Sequence, residues 1–96
     1  MAEYRLSPAA QRDLESIWNH TTQHWGIEQA NRYIDFLAAA FSKLAASPKI
    51  APTCEHIRPS YRRWSVEQHL IYFRVTRYGI AIIRVLHNRM DATHHL

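Results

Sequence analysis

The stretch GIAIIRVLHNRMD, Gly79 to Asp91, decides how the rest of the chain is read. Ile80 to Leu86 is a strand of the buried type, and it carries an arginine, Arg84, in its middle. A polar cluster follows: His87, Asn88, Arg89 and Asp91, with Met90 inside it. A guanidinium taken out of water is costly unless something binds it. Arg84 is therefore either paired within the fold, for example with Asp91 or other parts of the C-terminal segment, or it faces a partner or substrate.

Upstream lie two more strand-like runs, His69 to Thr76 and Tyr61 to Val66. Gly79 in Arg77-Tyr78-Gly79 supplies the turn between the last two, and Glu67-Gln68 is a weaker turn signal between the first two, so the three runs predict a meander. Alternation groups Arg84 with Ile82 and Leu86, Arg62 with Trp64 and Val66, and Arg63 with Tyr61 and Ser65. It leaves open which group faces the rest of the protein. Arg84 and His87, three residues apart, fall on opposite faces unless the strand ends or bulges before His87.

Before the meander, residues 47–60 hold three prolines and no apolar period, and read as a long loop and a functional candidate. Before the loop are two helices. Ser7-Pro8 pairs a capping hydroxyl with a proline at the first helical position. The stripe Leu14, Ile17, Trp18, Thr21 and Trp25 then follows helical spacing up to Gly26, with Asp13, Glu15, His20 and His24 off or beside it. Ile27 to Ala46 repeats the pattern with Ala30, Tyr33, Ile34, Leu37, Phe41, Leu44 and Ala45 on one face. With Gly26 alone between them, the helices are expected to form an antiparallel hairpin. Tyr4 to Leu6 is a short first strand. The expectation is an α+β fold in one domain, residues 1–96, ordered β-α-α-β-β-β, with the helical hairpin packed on one face of a small antiparallel sheet. The opposite sheet face is left for function.

Ninety-six residues, 47% of them hydrophobic, support one modest core. No run approaches the ~20 apolar residues of a membrane helix, and a single cysteine, Cys54, fits a reducing compartment. A cytoplasmic protein without membrane contact is expected, and no cofactor or metal. His20 and His24 have i, i+4 spacing but no evident third ligand. The net charge of +4 is unevenly placed. Residues 58–89 hold Arg58, Arg62, Arg63, Arg74, Arg77, Arg84 and Arg89 against one acid, Glu67. A surface built of arginine suits bidentate contacts to carboxylates or phosphates. Trp64 stands beside Arg62 and Arg63, placed to stack with a partner.

Four pieces, YRLSPAAQRDL, the Trp25-Gly26 junction, IRPSYRRW at Ile57 to Trp64, and GIAIIRVLHNRMD with the closing His95-Leu96, resemble in order and spacing the ParE branch of the ParE/RelE toxins of bacterial toxin-antitoxin modules. The resemblance implies the RelE/ParE-like fold and a toxin that inhibits DNA gyrase by binding it, blocking replication and arresting growth, with no chemistry of its own. It also implies neutralisation by a ParD-type antitoxin in a hetero-oligomer, and contact with DNA only indirectly, through antitoxin or gyrase. The residues expected to meet antitoxin or target are Arg58, Arg62, Arg63, Trp64, Arg74, Arg84, His87 and Arg89. The alternative is a ribosome-dependent mRNA endonuclease of the RelE, YoeB or HigB type, with Arg63 and Arg84 supplying charge and His87 serving as acid or base. That set is incomplete, since the only lysines are Lys43 and Lys49 and no tyrosine follows Leu86.

Overall fold

The computed structural model describes residues 2–96; Met1, the first residue of the expected domain, lies outside the described residues. The elements are β1 (Glu3–Leu6), α1 (Pro8–Trp25), α2 (Ile27–Ala46), a 3-10 turn (Pro48–Ile50), β2 (Tyr61–Val66), β3 (His69–Thr76), β4 (Gly79–His87) and α3 (Ala92–His95). The helices fall where the spacing places them. Ser7 caps α1, its hydroxyl accepting from the Ala10 N–H at 3.0 Å and donating to the Ile83 carbonyl at 2.7 Å. A local cap thereby becomes a tie to the sheet. At the other end of α1, Gly26 has φ of 91° and its N–H closes on the Thr22 carbonyl.

The sheet order is β1-β4-β3-β2. The meander is antiparallel as expected, whereas β1 joins β4 in parallel, with Glu3 opposite Gly79 and Leu6 opposite Ile82, so the sheet is mixed. Gly79, at φ of 144°, is required there: a Cβ would stand 1.9 Å from the Glu3 carbonyl oxygen.

Simple alternation fails within β4. Tyr72 pairs with Arg84 but its neighbour Phe73 pairs with Ile82, leaving Ile83 as an extra, bulged residue. Directly opposed residues share a face. Ile80, Ile82 and Val85 therefore all join the helix-side core with Ile71, Phe73, Leu37, Phe41 and Leu44. Arg84 shares its face with Leu86 but not with Ile82, which corrects the grouping that alternation suggests. Each large side chain buried here stabilises by ~1.5–3 kcal/mol before entropy.

The opposite face is not left open. Tyr72 and Leu86 pack there with Cys54 and Ala92, flanked by Ile57, Tyr61, Leu70 and Leu96. The Pro-rich loop and α3, an element the sequence does not announce, cover part of it. Trp25 also departs from expectation: it is 75% exposed, because it ends α1 beyond the reach of the core stripe.

Candidate docking surfaces

Arg84 has its partners inside the fold. Its Nε and Nη2 donate to the two carboxylate oxygens of Asp13 on α1, both at 2.7 Å, and Nη1 donates to the His95 carbonyl at 2.9 Å. Asp13 also accepts the Val85 N–H at 2.9 Å, so one carboxylate satisfies both the arginine and the β4 backbone beyond the end of β1. The Asp13 hydrogen bonds hold the Arg84 guanidinium charged and push its pKa up, against the opposing pull of burial. Of the internal partners the sequence suggests, the C-terminal segment is right but Asp91 is not. Asp91 instead caps α3, accepting from the Thr93 N–H and hydroxyl, and those bonds lower its pKa.

The other arginines separate by face. Arg58 donates to the Leu96 backbone oxygen at 2.6 Å, holding α3 down from the loop side. Arg62 lies opposite Phe73, on the helix side, and donates to the Ala51 carbonyl at 2.6 Å. Trp64, opposite Ile71, packs half-buried against the same core, with the Lys43 ammonium 5.4 Å from its ring centroid. Phe36, two turns before Lys43 on the same side of α2, is 54% exposed. Arg63 and Arg74 lie on the outer face, opposite Tyr72 and Tyr61 respectively. Arg89 is exposed beyond β4.

His87 sits opposite His69, on the helix side. The bulge precedes Arg84, so the strand is regular from Arg84 to His87 and the two stay on opposite faces. The His87 Nδ1 accepts the Arg89 N–H at 3.2 Å, and Nε2 meets Gln68 Oε1 at 3.3 Å, contacts that fit the neutral ring with its proton on Nε2. Arg63, Arg84 and His87 do not converge on one point.

One feature of this region the sequence does not single out. Tyr33 on α2 bonds His69 Nδ1 at 2.6 Å, and the His69 and His87 rings meet edge to face with centroids 5.5 Å apart. Burial, then the neighbouring His87 and His20, lower the His69 pKa to about 4. Burial, with Glu67 adding to it, raises that of Tyr33 to about 12. Tyr33 reads as an ordinary stripe residue, and only the fold brings it to His69. His20 and His24 stack at 4.1 Å, and among the described residues no third ligand joins them.

Residues 4–92 match the family described as the ParE toxin of the type II toxin-antitoxin system parDE. The chain belongs to the ParE toxin family. It is 46% identical over 96 residues to Toxin ParE1 of Mycobacterium tuberculosis, covering 99% of this chain and 98% of that one. It is 41% identical to Toxin ParE1 of Caulobacter vibrioides, covering 100% and 99%. Toxin ParE of Escherichia coli is 32% identical over 93 residues, covering 95% and 89%. The fold is similar to that of a chain in the chromosomal ParDE system of Pseudomonas aeruginosa, with a TM-score of 0.78 at 21% identity, covering 91% and 96%. This ParE toxin thus shares its architecture with a structure whose sequence has diverged well beyond that of the named relatives. Among the described residues, no helix is long and apolar enough to cross a membrane.

Proposed function

We propose that this ParE-family chain, acting as a single cytoplasmic domain over residues 1–96, inhibits DNA gyrase by binding it and is neutralised by a ParD-type antitoxin. The observation that carries the reading is the match to ParE toxins along residues 4–92. An antitoxin segment that buries apolar side chains finds them at Phe36 and Trp64, with Lys43 beside Trp64 to meet its carboxylates, while Arg62 holds the loop through the Ala51 carbonyl. Arg58 and Arg84 serve this surface indirectly, by fixing α3 against the sheet. Arg63, Arg74, His87 and Arg89 remain for the target.

The geometry disfavours the nuclease alternative. Arg84 is spent on Asp13, and His87 lies on the far face with its Nδ1 occupied. Two assays on the purified toxin test the reading: inhibition of gyrase supercoiling with accumulation of cleaved DNA, and messenger RNA cleavage on translating ribosomes. Gyrase inhibition without messenger RNA cleavage is the expected result. Intact supercoiling, together with ribosomal cleavage lost in His87→Ala, overturns it.

A further inference from the structure

The strand register lines up a row of side chains across the whole outer face. Arg5 on β1 is opposite Ala81 on β4, Ala81 is opposite Arg74 on β3, and Arg74 is opposite Tyr61 on β2. Two guanidinium-bearing strands thus flank one that contributes a methyl group, with the Arg5 and Arg74 backbones about 10 Å apart at ordinary strand spacing. Arg63 stands diagonally next to Arg74, about 7–8 Å away. The aromatic ring of Tyr61 closes one end of the row, and Tyr78, 4.1 Å beneath the Arg5 guanidinium, closes the other. Glu3 is bonded to Arg5 at 2.8 Å, and among the described residues no carboxylate is bonded to Arg63 or Arg74. The sequence places these arginines 58 or more residues away from Arg5 and gives no sign that they meet.

Within the row only Arg5 is paired, to the exposed Glu3; among the described residues Arg63 and Arg74 have no such internal partner, unlike Arg84 and Arg58. Its shape also argues about its occupant. An acidic peptide that docks tightly needs pockets for apolar side chains. On this face the apolar cluster of Tyr72, Leu86 and Cys54 is already closed over by the loop and α3, and Ala81 is nearly buried. What remains is a flat face with Arg5 and Arg74 exposed, Arg63 half-buried beside them, and the half-buried rings of Tyr61 and Tyr78 at its ends. Arginine guanidiniums with aromatic neighbours, and without apolar pockets, match a sugar-phosphate backbone whose bases can stack at the ends.

We propose that the row Arg5–Ala81–Arg74–Tyr61, with Arg63 beside it, is a direct contact site for the phosphate backbone of DNA. The resemblance to ParE toxins implies that DNA is met only through antitoxin or gyrase; the outer face gives the toxin its own grip. The choice of DNA over RNA rests on the gyrase reading, because that target holds DNA. A toxin that touches both gyrase and its DNA would slow the departure of the cut duplex.

The test is fluorescence anisotropy of the purified toxin, without gyrase, with labelled DNA in single-stranded and duplex form, across a salt series. An RNA of the same sequence and a labelled oligoglutamate are run alongside. Binding of DNA is expected, and Arg63→Gln/Arg74→Gln should weaken it at least about tenfold and reduce the slope of log affinity against log salt by about two. The control Arg12→Gln/Arg32→Gln, which removes the same charge from exposed positions on α1 and α2, should leave most of the affinity. Circular dichroism shows whether both variants are folded, and an Arg74→Lys variant, which keeps the charge, should restore part of the binding. Equal losses in the two double variants reduce the effect to net charge and overturn the proposal. So does preferential binding of RNA, or capture of oligoglutamate without DNA. Supercoiling inhibition measured separately distinguishes failure of this contact from failure of the gyrase reading, since a toxin can inhibit gyrase without binding free DNA.

Discussion

Asp13 on α1 and Arg84 on β4, 71 residues apart, are joined by two hydrogen bonds of 2.7 Å that match the fork of a guanidinium to both oxygens of a carboxylate. Their side chains are only 13% and 20% exposed, so water screens the pair weakly. Asp13→Ala should destabilise the protein by about 2–4 kcal/mol in urea unfolding, because it strands both the guanidinium and the Val85 N–H. Arg84→Lys, whose ammonium cannot span both oxygens, should lose about 1–2 kcal/mol. An Asp13→Ala variant as stable as the parent would show that the pair is ornamental.

His69 makes stability depend on pH. Its folded pKa of about 4 lies below the ordinary 6.5, so the unfolded chain binds the proton more readily. The stabilisation is fully present above about pH 6.5 and is lost as pH falls toward 4. With part of the ring open to solvent, the loss should be on the order of 1–2 kcal/mol. Melting temperature against pH, compared with His69→Gln, checks this: the variant should lack the decline in that window.

The two glycines should respond differently to alanine. At Gly79 a Cβ meets the Glu3 carbonyl oxygen, a backbone atom that cannot give way without pulling β1 from β4. Gly79→Ala should cost more than about 3 kcal/mol and speed amide exchange from Tyr4 to Leu6. Gly26 has open space around it, and only its φ of 91° resists a side chain, so Gly26→Ala should cost about 1–2 kcal/mol.

Cys54, on the loop, is buried against Tyr72 and Leu86 of the sheet, and that burial pushes its thiol pKa up despite nearby Arg63. A thiol-specific reagent should react with it slowly in buffer and rapidly in denaturant. Fast reaction in buffer would place the loop off the sheet.

Much of the fold is legible in the sequence because its signals are local. Ser7-Pro8, Gly26 and the spacing from Ala30 to Ala45 set both helices through capping and the 3.6-residue repeat, and the strand runs stop at their turns. The bulge at Ile83 is not legible: in a run where Ile80, Ile82, Ile83 and Val85 are all apolar, alternation carries no information about where one residue slips. Nor is the helix over Ala92–His95, which is one turn held by Asp91 and by packing against Tyr72 and Leu86. The candidate site was half readable. Arginine enrichment after residue 58 is plain, but Arg5 and Lys43 lie outside it and enter the surface only through the fold.

By itself the sequence determined the order and type of the main elements, the family, and the fact that the second half of the chain is cationic. Those rest on residue spacing, turn chemistry and composition, which need no knowledge of distant partners. Only the tertiary structure decided which arginines are available. Asp13 takes Arg84, backbone oxygens take Arg58 and Arg62, and Arg63 and Arg74 are left facing outward. A charge is free or spent according to what stands within hydrogen-bond reach, and for Arg84 that partner is 71 residues away along the chain.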